Sequence, residues 1–320
     1  MSLKFSFLMI VFNGDDFLHQ SLESVYDFAH DIFVIEGAVK EAWPIANVDG
    51  SSTDNTIQVL NDFPDPLKKI KIIHGKWSDK EEMTNALIKY VTGDYIWRLD
   101  SDEVYKSKDL VKIKTLLSQN PKLTHVTLRG VDFFHGFDRI MISKDDPNKH
   151  VANRIWKFEK KCFFKGHRPP DLYCPCEGKY MGKDKILSGL DLENEHGVTL
   201  YHYSWVTDKQ VKDKMIFFSE VYLRKFSVGI PYWNIVHTIP VVRRFYRIIF
   251  SLPIFDRYRR GRSFPKMNFN YYSTVWKKWS QDREYVESKY GVTFNSEEPH
   301  ITVPFQGRHP EVIYKLIEKL

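Results

Sequence analysis

At 320 residues the chain can bury a real core, as one large domain or as one domain with an appended lobe. A hydrophobic content of 42% and a charged content of 28% are those of an ordinary soluble globular protein. The formal net charge of +6 is matched by one stretch alone, Val241 to Arg262, where seven arginines stand against Asp256, so the rest is close to neutral and lacks the basic field of a nucleic-acid binder.

The opening residues Met1 to Lys4 lead straight into a first strand over residues 5–12, with no signal peptide expected. Asp15 and Asp16 open a helix running to about Phe28, with Phe17, Leu18, Leu22 and Val25 on one face. Ile32 to Ile35 reads as a second strand ending in Glu36-Gly37, and Ser51-Ser52-Thr53-Asp54 as the start of a helix carrying Ile57, Val59 and Leu60. Ile70 to His74 is a third strand, Asp79 to Tyr90 a helix, and Tyr95 to Leu99 a fourth strand. This alternation implies a parallel sheet covered on both faces, with right-handed crossovers that bring the strand ends to one rim. Phe12-Asn13-Gly14, Glu36-Gly37 and Asp100-Ser101-Asp102 are therefore expected to converge there.

Residues 130 to 205 read as loops and short strands, and Asp208 to Phe226 as a helix. The tail holds Trp276-Lys277-Lys278-Trp279 and closes with a helix over Glu311 to Leu320. The aromatic fraction, 15%, is high and weighted to the second half, as suits either an aromatic core or a cleft that stacks on sugar rings or bases. Cys162, Cys174 and Cys176 make neither a disulfide framework nor a zinc knuckle, and they point to a reducing compartment. No uninterrupted apolar run is long enough to span a bilayer; the longest candidate, Ile239 to Phe255, is broken by arginines. The arginines of 241–262, interleaved with apolar residues, suit a peripheral contact with an anionic membrane or a grip on an anionic acceptor.

Asp100-Ser101-Asp102-Glu103 is the most informative stretch, because it puts two carboxylates at the C-terminal end of a buried strand, the edge where open α/β sheets bind ligands. Two hard oxygen ligands there suit Mg²⁺ or Mn²⁺ together with a substrate diphosphate. An acidic turn capping the next helix is the competing explanation for this stretch taken alone.

Five features in the same order resemble glycosyltransferase family two, whose nucleotide-sugar-binding half has the GT-A fold. They are Phe12-Asn13 after the first strand, Glu36 after the second, Ser51 to Thr56, Thr84-Asn85-Ala86 on a helix, and Gly93-Asp94-Tyr95 running into Asp102. They span roughly the first third of the chain. Two departures stand out: Gly37 to Val48 intervenes before the Ser-Thr-Asp stretch, so that Glu36 or Asp49 faces the base, with Glu36 favoured, and no clear Glu-Asp motif follows the D-x-D. The implied fold is an α/β, GT-A-like, mostly parallel sheet with flanking helices. The expected organisation is a nucleotide-sugar-binding half over 1–130, an acceptor-binding half over 131–230 and a helical, aromatic- and Arg-rich extension over 231–320.

The resemblance implies an enzyme that moves a sugar from a nucleotide-sugar donor, UDP-linked by default, to a hydroxyl of a glycan or lipid-linked acceptor, with inversion. In that reading Asp102 holds Mn²⁺ or Mg²⁺, Asp100 binds the ion or the ribose, and His202 in Tyr201-His202-Tyr203 completes the metal set. Phe12, Asn13 and Glu36 line the nucleotide, Asp54 reads first as a helix cap although the family places it near the donor, and Lys80, with Lys76, adds positive charge near the phosphates. Glu177, Asp171, Asp191 and Glu193 are candidates for the base that deprotonates the acceptor; Glu177 is chosen because it lies in a Pro/Gly/Cys loop rather than an acidic run. The expected location is cytoplasmic, peripheral on the inner face of a membrane, in polysaccharide biosynthesis. The alternatives are a non-catalytic nucleotide-sugar-binding relative, a membrane-surface scaffold, and a sugar nucleotidyltransferase, against which the acidic Asn13-Gly14-Asp15-Asp16 turn argues.

Overall fold

The computed structural model describes residues 2–134, 136–143, 151–167, 169–175, 178–181, 185–207, 209–210, 213–214, 217 and 300–318. By compactness the chain divides into Met1–Gln210 with Pro299–Leu320, and Val211–Glu298. The second unit, and with it the arginine-rich 241–262 and Trp276 to Trp279, lies outside the described residues apart from isolated helical positions.

Four strands form the parallel half of an eleven-stranded sheet: β1 (Phe5–Val11), β2 (Asp31–Glu36), β3 (Ile70–His74) and β4 (Tyr95–Leu99), in the order β4-β1-β2-β3. The helices between them are α1 (Asp15–Tyr26), α2 (Thr56–Asp62) and α3 (Lys80–Ile88). β1 is buried along almost its whole length, as its apolar run, interrupted at Ser6, requires of a strand covered on both faces. On α1 the residues Phe17, Leu18, Leu22 and Val25 are buried, and Asp15 and Asp16 sit in the first turn, where the helix dipole favours negative charge. Asp79 caps α3 by accepting from the Glu82 amide at 2.8 Å.

Past β4 the sheet turns antiparallel through β8 (Val151–Lys157), β6 (His125–Phe134), β7 (Arg139–Ser143) and β14 (His300–Pro304). β6 is a ten-residue strand that runs into residues 130 to 205, where only loops and short strands were expected. Two more elements complete the rim: β5 (Glu103–Val104), directly after the D-x-D turn, and β13 (Leu200–Trp205), which lies between β5 and β6. The closing segment belongs to this same unit, since β14 is the edge strand and α6 (Glu311–Ile317) buries Ile313 against Phe17, Tyr203 and Phe133. Much of the aromatic content is core: Phe5, Phe7 and Trp97 pack together under the parallel half, and Phe133 stacks on Tyr203 with ring centres 4.5 Å apart.

A small second sheet is built from β9 (Phe163–Lys165), β10 (Asp171–Cys174) and β11 (Lys179–Tyr180). Cys162 and Cys174, opposite one another next to the Phe163–Tyr173 pair, form a disulfide. This corrects the expectation that none of the three cysteines pairs: the hairpin register brings together two thiols that sequence spacing alone does not.

Candidate active site

The parallel register carries β1, β2 and β4 to one rim, with Val11 beside Glu36 and Met9 beside Leu99. The turn after β1 presses on the D-x-D turn so closely that a Cβ on Gly14 would lie 2.6 Å from the Ser101 hydroxyl. Gly37, at φ +140°, abuts the end of β3, where a Cβ would lie 2.0 Å from the Gly75 carbonyl oxygen. The three expected segments thus do converge.

On the β1–β2 side the polar groups are spent on one another. The Asn13 Oδ1 accepts from the Thr53 amide at 2.8 Å, and the Asn13 amide donates to the Ser52 hydroxyl at 2.9 Å. Asp54 accepts from the amides of Thr56 at 2.9 Å and Asp15 at 3.2 Å. Its carboxylate therefore holds the first amide of α2 and ties that helix to α1. Glu36 is fully buried; one oxygen accepts from the Ser52 amide at 2.7 Å and the other lies 3.1 Å from His74 Nδ1. Burial and these two partners make Glu36 an internal anchor, not the residue that reads a base.

The inserted segment sets the surroundings of Glu36. It carries a 3-10 helix over Lys40–Ile45 and returns beside its own start, with the Ala38 amide donating to the Gly50 carbonyl at 2.8 Å. Asp49 thereby comes to the surface near the buried Glu36. A cavity of about 430 Å³ opens there, lined by Asp49, Ser51, Ile57, His74 and Gly75. Hydrogen bonds from the Ser51 hydroxyl and amide hold the Asp49 carboxyl below its usual pKa. Lys76 sits 5.9 Å from the Trp43 ring centre at the same insertion, and Lys80 opens α3, half-buried.

On the β4 side charge is paired with charge. The pairing of β13 with β5 and β6 sets His202 opposite both Glu103 and Asp132. Its Nδ1 meets Asp132 at 2.5 Å and its Nε2 lies 3.3 Å from Asp102 Oδ1. Burial opposes a charge on His202, but the two carboxylates prevail and raise its pKa to about 10. Arg154, from β8, lies between Asp100 at 2.9 Å and the fully buried Glu103, whose oxygens it grips through Nε at 2.9 and 3.0 Å. Burial would raise the Asp100 pKa; Arg154 and, next, Arg98 hold it well below the carboxylate range. Glu103 moves the other way, raised by complete burial that Arg154 only partly offsets.

Among the described residues no three His, Cys, Asp or Glu side chains cluster as a self-sufficient metal site. The donor set nevertheless fits an ion shared with substrate phosphates, as Mg²⁺ and Mn²⁺ commonly are. Two ligands at right angles on an octahedral ion are about 3 Å apart, and Asp102 and His202 offer an oxygen and, once an ion displaces the ring proton between them, a nitrogen at 3.3 Å. Asp100, expected in the metal set, is instead ion-paired with Arg154 in this structure. Glu177 lies outside the described residues. Of the other carboxylates weighed as the base, Asp171 and Asp191 are exposed, and Glu193 is taken by Arg129. Asp132, Arg154 and Arg98 carry no local sequence signal; only strand pairing reveals them.

Residues 6–170 match the family described as Glycosyl transferase family 2. The chain is 25% identical over 154 residues to the poly(ribitol-phosphate) beta-glucosyltransferase of Bacillus spizizenii, which covers 47% of this chain and 23% of that protein. It is 30% identical over 107 residues to the SPbeta prophage-derived glycosyltransferase SunS of Bacillus subtilis, covering 33% of this chain and 21% of that one. It thus spans about a fifth to a third of the length of the curated relatives it matches. Among solved structures, the mannosyltransferase PcManGT from Pyrobaculum calidifontis, in complex with GDP-Man and Mn²⁺, superposes with a TM-score of 0.41 at 12% identity, over 82% of this chain and 80% of that one. With just over half its length matched, through both the parallel half and the strands that carry Arg154, the chain belongs to glycosyltransferase family 2.

Proposed function

We propose that this protein is a glycosyltransferase that moves a sugar from a nucleotide-sugar donor, UDP-linked by default, to a hydroxyl of a glycan or lipid-linked acceptor, with inversion at the anomeric carbon. The observation that carries the reading is the Asp102–His202 pair at the end of β4, within a family-2 domain. Asp102 and His202 would hold Mn²⁺ or Mg²⁺, which as a Lewis acid supplies charge neutralisation to a departing diphosphate. Asp132 accepts from His202 Nδ1 and so fixes the ring with Nε2 toward Asp102. Arg154 holds Asp100 ionised and oriented, which suits a carboxylate that accepts hydrogen bonds from a ribose. The cavity beside Asp49 suits a nucleobase: Asp49 and Ser51 supply polar edges and Ile57 an apolar wall. Glu177 remains the residue we assign as base. No helix among the described residues is long and apolar enough to cross a membrane. A cytoplasmic protein touching an anionic membrane through 241–262 and serving polysaccharide assembly is part of the same proposal.

The test is donor binding and slow hydrolysis across UDP-glucose, UDP-N-acetylglucosamine and GDP-mannose, with and without Mn²⁺, on wild type and Asp102→Ala. We expect one donor to be turned over in a metal-dependent way, with a loss of at least about a hundredfold in the variant. Binding without turnover would leave a non-catalytic relative. Binding indifferent to metal and to the substitution would remove Asp102 from the site.

A further inference from the structure

The carboxylate that directly follows the D-x-D pair is the one that cannot reach a substrate. Glu103, in β5, is fully buried, whereas the side chains of Asp100 and Asp102 are 36% and 20% exposed. A buried carboxylate is costly unless its oxygens are answered, and both oxygens of Glu103 are. Oε1 accepts from Arg154 Nε at 2.9 Å and also from its Nη2. Oε2 accepts from the same Nε at 3.0 Å, from the Asp100 amide at 3.3 Å and from the Tyr105 hydroxyl at 3.4 Å. Tyr105 is buried in turn, and Trp97 Nε1 donates to its hydroxyl at 3.2 Å.

Two of these contacts lead to Asp100. Its amide donates to Glu103 directly, and its Oδ2 accepts from Arg154 Nη2 at 2.9 Å. A guanidinium is a planar fork whose donors have fixed directions. Seating Nε and Nη2 on Glu103 fixes that plane, and the remaining N–H of Nη2 is then aimed at Asp100. Nη1 adds a hold on the Asn153 carbonyl at 3.3 Å. The turn itself closes through other groups. The Asp100 carbonyl accepts from the Glu103 amide at 3.1 Å and from the Ser21 hydroxyl at 3.0 Å, and the Asp102 carbonyl accepts from the Tyr203 amide at 2.8 Å. What the Glu103 carboxylate adds to this turn is therefore the direction of the Asp100 side chain.

We infer that Glu103 is a positioning residue for the sugar donor: it seats the fork of Arg154, and the fork aims Asp100 at the ribose of the nucleotide. The inference rests on the glycosyl-transfer reading, in which Asp100 accepts hydrogen bonds from that ribose. Glu103 touches no substrate, so its whole effect on the reaction passes through Asp100.

A double-mutant cycle separates this role from a merely structural one. Glu103→Gln sets an amide NH₂ against the guanidinium, and Arg154→Lys keeps the charge but has no fork. Each is made alone and together with Asp100→Ala, which removes the side chain being aimed. Hydrolysis of UDP-glucose, UDP-N-acetylglucosamine and GDP-mannose with Mn²⁺ is measured for wild type and all variants, below the melting temperature of each. We expect either single substitution to raise the KM of the active donor about ten- to a hundredfold, with kcat within about threefold of wild type. In the Asp100→Ala background neither should change KM by more than about threefold. Arg154→Lys keeps the buried charges balanced, so the cycle is read on that arm should Glu103→Gln not fold. A wild-type KM in Arg154→Lys or in a folded Glu103→Gln would overturn the inference. Losses that multiply in the Asp100→Ala background would overturn it too, and would leave Glu103 as a stabiliser of the buried cluster. A wild type that turns over no donor would refute the transfer reading itself, and this inference with it.

Discussion

On the β1–β2 side of the rim, Asn13, Glu36 and Asp54 give their polar atoms to backbone amides and neighbouring loops. On the β4 side, Asp100, Asp102, Glu103 and Asp132 answer Arg154 and His202, charge against charge. The first arrangement fixes shape, because an amide has nowhere else to turn. The second holds compensated charge, which in the proposed reading a diphosphate and its cation re-partition when they bind. Polar side chains of the same types thus bond to backbone on one side and to opposite charge on the other, and register decides which.

The largest expected effect falls on the charged side. Arg154→Ala leaves the buried Glu103 and the neighbouring Asp100 with no cation between them. Removing one partner of a buried ion pair costs about 3–5 kcal/mol. Denaturant unfolding should read that loss, and adding Glu103→Gln should recover part of it. If Arg154→Ala unfolds at the wild-type midpoint, the network carries little stability and the contrast with the other side collapses.

Glu36 sharpens the comparison from the opposite direction. In Glu36→Ala the Ser52 amide loses its buried acceptor, at a cost of about 1–3 kcal/mol. Glu36→Gln keeps an oxygen for that amide and should stay within about 1 kcal/mol of wild type. Neither substitution should change the KM of the active donor by more than about threefold, measured below the unfolding temperature, because the side chain is fully buried. A donor KM that rises more than tenfold in Glu36→Gln would return this residue to the nucleotide site.

What the sequence disclosed and what it hid divide along the same line. β1 to β4 and their helices were legible, because buried parallel strands are mostly apolar runs and the helices begin at Asp or Ser/Thr clusters. The D-x-D turn was legible as the exit of such a strand. His202 was visible as a motif, but its partner Asp132 was not, since the two are joined by strand pairing across some seventy residues. Arg154 was hidden for the same reason, on a strand whose neighbours no local period reveals. The burial of Glu36 and the exposure of Asp49 were hidden because the inserted segment returns beside its own start, a closure made by tertiary hydrogen bonds. The disulfide was hidden by hairpin register.

The remaining expected effect, spread over a range of pH, compares two imidazoles in one sheet. His202 has two carboxylates and a pKa raised to about 10; His125, at the start of β6, is stacked on Trp156 with no partner for Nε2, and burial lowers its pKa to about 4. The signs are opposite. A raised pKa gives His202 a stabilising charge that is fully present below the unfolded value of about 6.5 and is lost as the pH rises through about 10. A lowered pKa makes His125 stabilising above about 6.5, and that contribution is lost as the pH falls through about 4, because the unfolded chain takes up a proton that the folded one refuses. His125 should therefore add an acid slope of at most about 1.4 kcal/mol per pH unit over that window. His125→Phe keeps an aromatic face for Trp156 and has no proton to accept. Its unfolding free energy should gain on wild type steadily from pH 6.5 to 4.5 and run parallel to it above pH 7. A constant difference across the whole range would mean that His125 finds a proton acceptor or water in the folded protein, and that partnership with carboxylates is not what separates the two imidazoles.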